Sequence, residues 1–270
     1  MQAIDSELEG KVALVTGSVT GIGEAIARRL WQSGATVMLH GQAHEQEKAE
    51  KLLEDLNSSS AGRIACHLCD IGYAEACEEL VDAVALRFGG IDILVNNAAI
   101  SGRSNLETTD AALFDRLMAV NVRAPLLLAK RALPHFRAAG GGTILNIGSI
   151  NGYCGEQNLL VYSITKGALM TLSRNLADAH GAERIRVNHL NLGWTLTANE
   201  YALKLRDGLP EDWPARLPVT TAPAGRLLAP EEIAHFAMAF ISPRGAGING
   251  SVADLEQYPV IGRNPPKATD

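Results

Sequence analysis

Tyr162 and Lys166 stand four positions apart in the stretch VYSITKGAL (161–169). On a helix, positions i and i+4 share one face, with about 5–6 Å between their Cβ atoms. A lysine cation held there favours the phenolate and lowers the tyrosine pKa from its reference near 10. Each pKa unit is worth about 1.4 kcal/mol, so a fall of ~2–3 units needs a second positive charge beside the lysine. The phenol then exchanges a proton with a carbonyl or alcohol oxygen, a general acid–base contribution of roughly 10²–10⁴-fold. None of Tyr73, Tyr153, Tyr201 or Tyr258 has a lysine four positions on. The alternative for the pair is a solvated helix face, and the rest of the chain decides between the two.

A second spacing concerns phosphate. In VTGSVTGIGEA (15–25) an apolar run ends at Gly17, and Gly21 and Gly23 open a helical pattern. Gly17 permits a tight turn, Gly21 lets backbone approach a pyrophosphate, and Gly23 permits close helix packing. The first amides of the helix, with its dipole, then face the phosphates. The spacing is G-x-x-x-G-x-G, not the commoner G-x-G-x-x-G. Its weight comes from its place between the first strand and the first helix.

The elements that must position these residues alternate along the chain. Apolar runs at 11–17, 35–41, 63–68, 91–97, 141–149 and 185–193 read as strands, and helical spacing appears at 23–34, 44–60 and 73–90. A long helical region precedes the fifth strand, and the Tyr162 helix follows it. This alternation with near-continuous apolar strands predicts a parallel sheet covered on both faces. No repeat and no Gly-, Ser- or Pro-rich linker divides the chain, so one domain over 1–270 is expected. The rhythm breaks at 194–224, which holds Pro210, Pro214, Pro218 and Pro223 around a short helical piece, TANEYALKLRDG. A connection of this length suits a lid over a site, or a structural excursion against a neighbouring subunit.

Composition excludes several classes. The net charge of −6 and pI near 5.7 argue against a nucleic-acid surface. No run reaches the ~18 apolar residues of a membrane span, and the start MQAIDSELEGK lacks a signal peptide's basic and apolar regions, so a cytoplasmic location is expected. Cys66 and Cys69 form a C-x-x-C, but RIACHLCDI reads as a buried strand with no second pair to complete a zinc site. Buried, reduced thiols and no metal are expected.

Thr16 through Gly23, NNAA (96–99), Asn121, Ser149 and Tyr162-x-x-x-Lys166 follow one another in an order and spacing that resembles the short-chain dehydrogenase/reductase family. The resemblance runs from the first strand to GRLLAPEEIAHFAMAFIS (225–242). It implies an α/β fold, a single Rossmann-like doubly wound parallel sheet of about seven strands with helices on both faces. It implies hydride transfer between a nicotinamide cofactor and a secondary alcohol or ketone, with Tyr162 as general acid and base. Ser149 would bond the substrate oxygen, Lys166 would also hold the nicotinamide ribose, and Asn121 would kink its helix and seat a water leading from Lys166 to solvent. Taken singly, Ser149 also reads as a strand-end cap and Asn121 as a helix-packing amide. A dinucleotide-binding sensor or scaffold, and an epimerase or dehydratase, stay open as other readings.

The same resemblance places the cofactor contacts. Gly17, Ser18, Thr20, Gly21, Ile22 and Gly23 form the phosphate loop, and Asp70 resembles the acid that takes the adenine amino group, with Ile71 beside it. Asn97, Ala98 and Ala99 line the adenosine side, Ala99 standing where the family more often has glycine. Gly193, Thr195 and Thr197 serve the carboxamide and phosphate, although Leu192-Gly193 replaces the usual proline–glycine. Tyr162 and Lys166 complete the set. Gly41 occupies the place of the ribose-binding acid and Gln42 that of the arginine of many NADP users. The missing acid removes repulsion of a 2′-phosphate while Gln42 and His40 offer donors, so NAD(P)H is expected with NADP(H) favoured over NAD.

The substrate-side candidates are Ser149, Glu156, Tyr162 and Trp194, with Gln157, Asn158, Asn199, Glu200, Tyr201 and Arg103 as further polar groups. They suit a small alcohol or ketone that is a polyol, sugar or hydroxy acid, unless these side chains face solvent. Family relatives assemble as tetramers or dimers, so a homo-oligomer is expected. The tail 256–270 departs from the family's glycine pair with Leu255-Glu256-Gln257 and is expected to reach a neighbouring site.

Overall fold

In the computed structural model, residues 6–57, 62–153 and 155–258 are described. Their seven strands are β1 (Val12–Val15), β2 (Thr36–Gly41), β3 (Ile64–Leu68), β4 (Ile93–Asn96), β5 (Gly142–Ile147), β6 (Ile185–Leu192) and β7 (Val252–Leu255). They form one sheet in the order β3-β2-β1-β4-β5-β6-β7, every neighbouring pair parallel. The chain builds outward from β1 to β3 and then returns to lay β4 on the other side of β1. The strand ends therefore part between β1 and β4, where open parallel sheets bind ligands.

Side chains one residue apart on a strand face opposite ways. Ala13 and Val15 pack with Ile26 and Leu30 of α1 (Gly21–Gln32), Leu52 and Leu56 of α2 (Gln46–Asn57), and Ile233 and Ala237 of α8 (Pro230–Ile241). Val12 and Leu14 pack on the other face with Leu80 and Val84 of α3 (Ala74–Phe88), Leu128 and Phe136 of α5 (Ala124–Ala138), and Ala177 of α6 (Leu160–His180). Both faces are covered, which is why the strands read as continuous apolar runs. Each fully buried leucine contributes about 1.5–3 kcal/mol.

Three helices begin or break differently from the sequence reading. α2 starts at Gln46 because Ala43–Glu45 forms a 3₁₀ turn, capped where the Glu45 carboxylate accepts the Gln42 amide at 2.9 Å. The long helical region is α4 (Ala111–Met118), a π-helical stretch Ala119–Arg123, and α5. α8 begins at Pro230, whose fixed φ suits a first turn. The 194–224 excursion carries α7 (Ala198–Arg206) and its own apolar cluster of Trp213, Ala222 and Leu227, against which Trp194, Tyr201 and Leu205 pack. Cys77 is buried, but Cys66 and Cys69 are only half-buried, and Cys154 and the tail from 259 lie outside the described residues. Burial pushes the Cys66 and Cys69 thiols up to about 11 and about 12.

Two polar devices inside the fold hold the C-terminal half of the sheet. The Arg186 guanidinium donates from Nη1 to the carbonyls of Phe240 and Gly245, both at 2.8 Å, and from Nη2 to Thr143 Oγ1 at 3.1 Å. It thus satisfies the Phe240 carbonyl in the last turn of α8 and ties it to the 3₁₀ turn Pro243–Gly245 that follows. The second device crosses the strands behind Gly148. Asn96 Nδ2 donates to Asn146 Oδ1 and Asn146 Nδ2 to Ser173 Oγ, both at 2.8 Å. Ser173 Oγ meets His189 Nδ1 at 3.0 Å, and His189 Nε2 meets Asn191 Oδ1 at 2.9 Å. Asn191 Nδ2 and the Tyr153 hydroxyl both donate to Asp254 Oδ1, at 2.9 and 3.0 Å. Because Asn191 presents its oxygen, His189 carries its proton on Nε2. Burial, with Lys166 and Arg174 adding to it, lowers the imidazole pKa to about 4, so the ring is neutral.

These devices make two stability predictions. Arg186→Lys keeps the charge but loses the fork, and is expected to destabilise the fold by about 2 kcal/mol in urea denaturation. A Cβ on Gly148 would lie 2.0 Å from His189 Nε2 and 2.4 Å from Asn191 Oδ1, whereas one on Gly247 meets nothing within 4 Å. Gly148→Ala is therefore expected to cost about 2–3 kcal/mol and Gly247→Ala less than about 0.5 kcal/mol in the same measurement.

Candidate active site

A cavity of about 1190 Å³ opens at the C-terminal ends of β1, β2, β4, β5 and β6. Its chemistry begins where β5 stops. Ile147 ends the strand, Gly148 carries no side chain over the buried histidine, and Ser149 caps a short 3₁₀ turn, its Oγ accepting the Asn151 amide at 3.2 Å. α6 lies across this turn and brings Tyr162 and Lys166 to the same wall as Ser149.

Lys166 is 3% exposed, and its Nζ donates to the Ile147 carbonyl at 2.8 Å. Nζ also lies 5.6 Å from the centroid of the Tyr162 ring. Burial pushes the lysine down to about 8. The Tyr162 phenol is pushed above its ordinary value by burial, and a hydrogen bond with Ser149 opposes this. The sequence reading expected Lys166 to lower the tyrosine. In the protein alone, desolvation outweighs that effect, and Lys166 is bound to a carbonyl rather than to the phenol oxygen.

Asn121 lies in the π-helical stretch that separates α4 from α5. Its amide bridges the Ile100 backbone, accepting from N and donating to O at 2.9 Å each, and donates to Thr165 Oγ1 at 3.0 Å. Asn121 is therefore off the cavity wall, which Val120 lines instead. It holds the start of α6 against the loop after β4.

The glycine loop forms the opposite end. Gly17, Thr20, Gly21 and Ile22 line the cavity, while Ser18 and Gly23 are buried behind them. A Cβ on Gly23 would sit 2.1 Å from the Gly17 carbonyl, and one on Gly17 would sit 2.9 Å from the Ala98 α-carbon. Gly17 and Gly21 also adopt φ of +60° and +61°, a region that disfavours side chains. Asn97, Ala98, Ala99, Gly41 and Gln42 are on the wall, as are Gly193, Thr195 and Thr197. Thr197 caps α7 by accepting the Glu200 amide at 3.0 Å. Asp70 and Ile71 are not on the wall. Asp70 accepts from Arg116 at 3.0 Å and from the Gly72 amide at 2.9 Å, and burial opposing these bonds does not prevent its pKa from falling.

His40 has no donor left for a ligand. Its Nδ1 accepts the Gly17 amide at 3.0 Å and its Nε2 meets the Cys69 carbonyl at 3.1 Å, so the ring bridges the glycine loop to the end of β3. Burial lowers its pKa to about 4, which keeps it neutral. Beside it stands a carboxylate that the sequence reading missed. Glu45 Oε2 would lie 3.0 Å from a Cβ on Gly41 and accepts the Gln42 amide. The Gln-x-x-Glu spacing of a capping box was the available signal.

At the other end Trp194 and Glu156 line the cavity, Glu156 at an exposed rim position. The Trp194 ring stacks on Trp213 at 5.5 Å, and its indole N–H donates to Glu200 Oε1 at 2.8 Å. Arg103, Asn158, Asn199 and Glu200 face the cavity as expected, whereas Gln157 and Tyr201 do not. Tyr201 stacks on Trp213 and donates to the Glu211 carbonyl at 2.9 Å. Lys204, Asp207, Asn151 and Glu256 are also on the wall. Asp207 pairs with Arg103 at 2.5 Å, and Lys204 lies 3.7 Å from Glu200.

Comparison with known proteins agrees with this geometry. Residues 17–256 match a family described as enoyl-(acyl carrier protein) reductase. An uncharacterized oxidoreductase of Thermotoga maritima is 36% identical over 92% of this chain and 96% of its own length. A glucose and ribitol dehydrogenase of Daucus carota is 39% identical over 70% of this chain and 67% of its own. Among solved structures, L-sorbose reductase from Gluconobacter frateurii, complexed with NADPH and L-sorbose, superposes with a TM-score of 0.86 at 31% identity, covering 93% of this chain and 97% of that one. A 3-ketoacyl-(acyl-carrier-protein) reductase from Brucella melitensis, complexed with NADH, gives a TM-score of 0.79 at 32% identity, covering 92% and 97%. The chain belongs to the short-chain dehydrogenase/reductase family of oxidoreductases.

Proposed function

We propose that the chain interconverts a ketone and a secondary alcohol on a small polyol or sugar, with NAD(P)H as cofactor, NADP(H) favoured, and Tyr162 as general acid and base. The observation that carries this reading is the convergence of Ser149, Tyr162 and Lys166 on one cavity whose far end is the glycine loop 17–23. That loop, with the amides at the start of α1, fits a dinucleotide's phosphates. Gly17, Thr20, Gly21, Ile22 and Thr197 would hold them, Asn97 to Ala99 and Gln42 the adenosine, and Gly193 and Thr195 the nicotinamide. When bound, the nicotinamide supplies or takes up the hydride.

The protein supplies the proton and the placement. Tyr162 donates its proton to the carbonyl oxygen in reduction and withdraws it in oxidation. Ser149, on the same cavity wall as the phenol, stabilises charge on that oxygen. Lys166 keeps the phenolate accessible and presents its remaining N–H donors to the ribose. Asn121 acts through Thr165 and Ile100 as a positioning residue. The polar wall supports a polyhydroxylated substrate, in keeping with the substrates named for the carrot dehydrogenase and for L-sorbose reductase. A homo-oligomer, tetramer or dimer, belongs to the same reading and is supported by the exposed Phe114, Leu126 and Ile164 on α4, α5 and α6.

Parallel titration with NADPH and NADH, followed by nicotinamide fluorescence, tests the cofactor. Saturable binding with NADPH tighter is expected, and binding of neither would sink the reading. With ketoses as substrates, Tyr162→Phe is expected to lower kcat by roughly 10²–10⁴-fold while NADPH still binds. Because reduction needs the protonated phenol, its rate should hold at low pH and fall as pH rises through the Tyr162 pKa. Alcohol oxidation needs the phenolate and should rise over the same range. Profiles of equal sign in the two directions would exclude Tyr162 as the proton-carrying group.

A further inference from the structure

We propose that Glu256 is a specificity-determining residue whose carboxylate accepts a hydrogen bond from a substrate hydroxyl other than the reacting one. The site then selects polyhydroxylated, uncharged substrates over anionic ones and over ketones without further hydroxyls. The proposal rests on the polyol reading above and deepens it.

The sheet places Glu256 in the cavity. Leu255 of β7 pairs with Leu192 of β6, and the Gly193 amide donates to the Leu255 carbonyl at 2.9 Å. Glu256 therefore lies beside Gly193, on the same cavity wall as Ser149 and Tyr162. A Cβ on Gly193 would come 2.2 Å from Glu256 Oε2, so the carboxylate occupies the space that the missing side chain leaves. The next residue holds this position. Gln257 Oε1 accepts the Ala224 amide at 2.8 Å, and its Nε2 donates to the Arg226 carbonyl at 2.7 Å.

Glu256 differs from Glu200 and Asp207 in its unused acceptor capacity, and from Glu156, which stands at the exposed rim, in being half-buried beside Gly193. Glu200 takes the Trp194 indole N–H and lies 3.7 Å from Lys204. Asp207 takes the Arg103 guanidinium. Glu256 Oε1 accepts only the adjacent Gln257 amide, at 2.6 Å, and its Oε2 has no donor among the described residues. A carboxylate can only accept, and a hydroxyl is a donor it can accept from; such charge-assisted bonds are among the stronger ones. An anionic substrate would meet this carboxylate with Arg103 and Lys204 already facing Asp207 and Glu200.

The test compares kcat/KM for L-sorbose or D-fructose with kcat/KM for cyclohexanone, with the tighter-binding nicotinamide cofactor saturating. Glu256→Leu is expected to lower the ketose-to-cyclohexanone ratio by roughly 10–100-fold, and Glu256→Gln by less, since the amide keeps one acceptor. A ratio that stays at its wild-type value in Glu256→Leu overturns the proposal, including the case where both rates fall together because the Gly193 segment has shifted. A wild-type enzyme that reduces cyclohexanone but no ketose overturns the polyol reading itself, and the role of Glu256 with it.

Discussion

A buried amino group with one carbonyl acceptor is the constraint around which this site is built. Removing an ammonium from water disfavours its charge, and Lys166 compensates with a single bond to Ile147. That carbonyl is available where β5 ends, and the next residue, Gly148, passes over His189 and Asn191 without a side chain. The same step sets Ser149 at the head of its turn. The lysine has three donors and, among the described residues, one acceptor, so two N–H groups face whatever enters the cavity. Its value near 8 makes its charge responsive to that occupant.

The support behind the lysine is polar, not apolar. Asn96, Asn146, His189 and Asn191 stand among valine, isoleucine and leucine in the C-terminal halves of β4, β5 and β6, and all four side chains are buried. Left unpaired they would each be costly. Joined through Ser173 and ended on Asp254, they form a continuous series that fixes the strand ends behind Gly148. Tyr153 extends the same series to the exit of the Ser149 turn. The exit of that turn is thus tied to Asp254 of β7, and the Gly148 amide before it bonds the Leu190 carbonyl of β6.

How much of this is legible in the sequence follows from which part of the chain does the work. The strand–helix alternation and the glycine loop depend on backbone conformation and burial, and Gly17, Gly21, Gly23 and the apolar runs report both directly. Tyr162 and Lys166 are legible because helix geometry alone puts them on one face. The direction of the tyrosine shift is not, since it depends on burial and on where the lysine nitrogen goes. His40 was read as a ligand donor because its position on β2 is visible while its bonds to Gly17 and Cys69 are not. The excursion from 194 to 224 is legible as an irregularity only. Which of its side chains turn inward is decided by Trp213, whose burial draws Tyr201 away from the cavity and leaves Lys204 facing it.

That excursion is better understood as a small packed body than as a loose flap. The Trp194–Trp213–Tyr201 stack gives it a core of its own, so it moves as a unit if it moves. Its ties to the rest of the protein are unequal. On the β7 side, Gln257 bonds the backbone at both Ala224 and Arg226, and Tyr258 donates to the Val219 carbonyl. On the side facing the loop after β4, the contact is the Arg103–Asp207 ion pair, whose arginine is half exposed. Exposed ion pairs hold little against water. The Arg103 side is therefore the weaker attachment, and Glu256 sits on the stronger one, beside the sheet. A residue that reads the substrate's hydroxyls is best placed there, because its distance from Ser149 and Tyr162 is then set by the sheet and not by the position of the excursion.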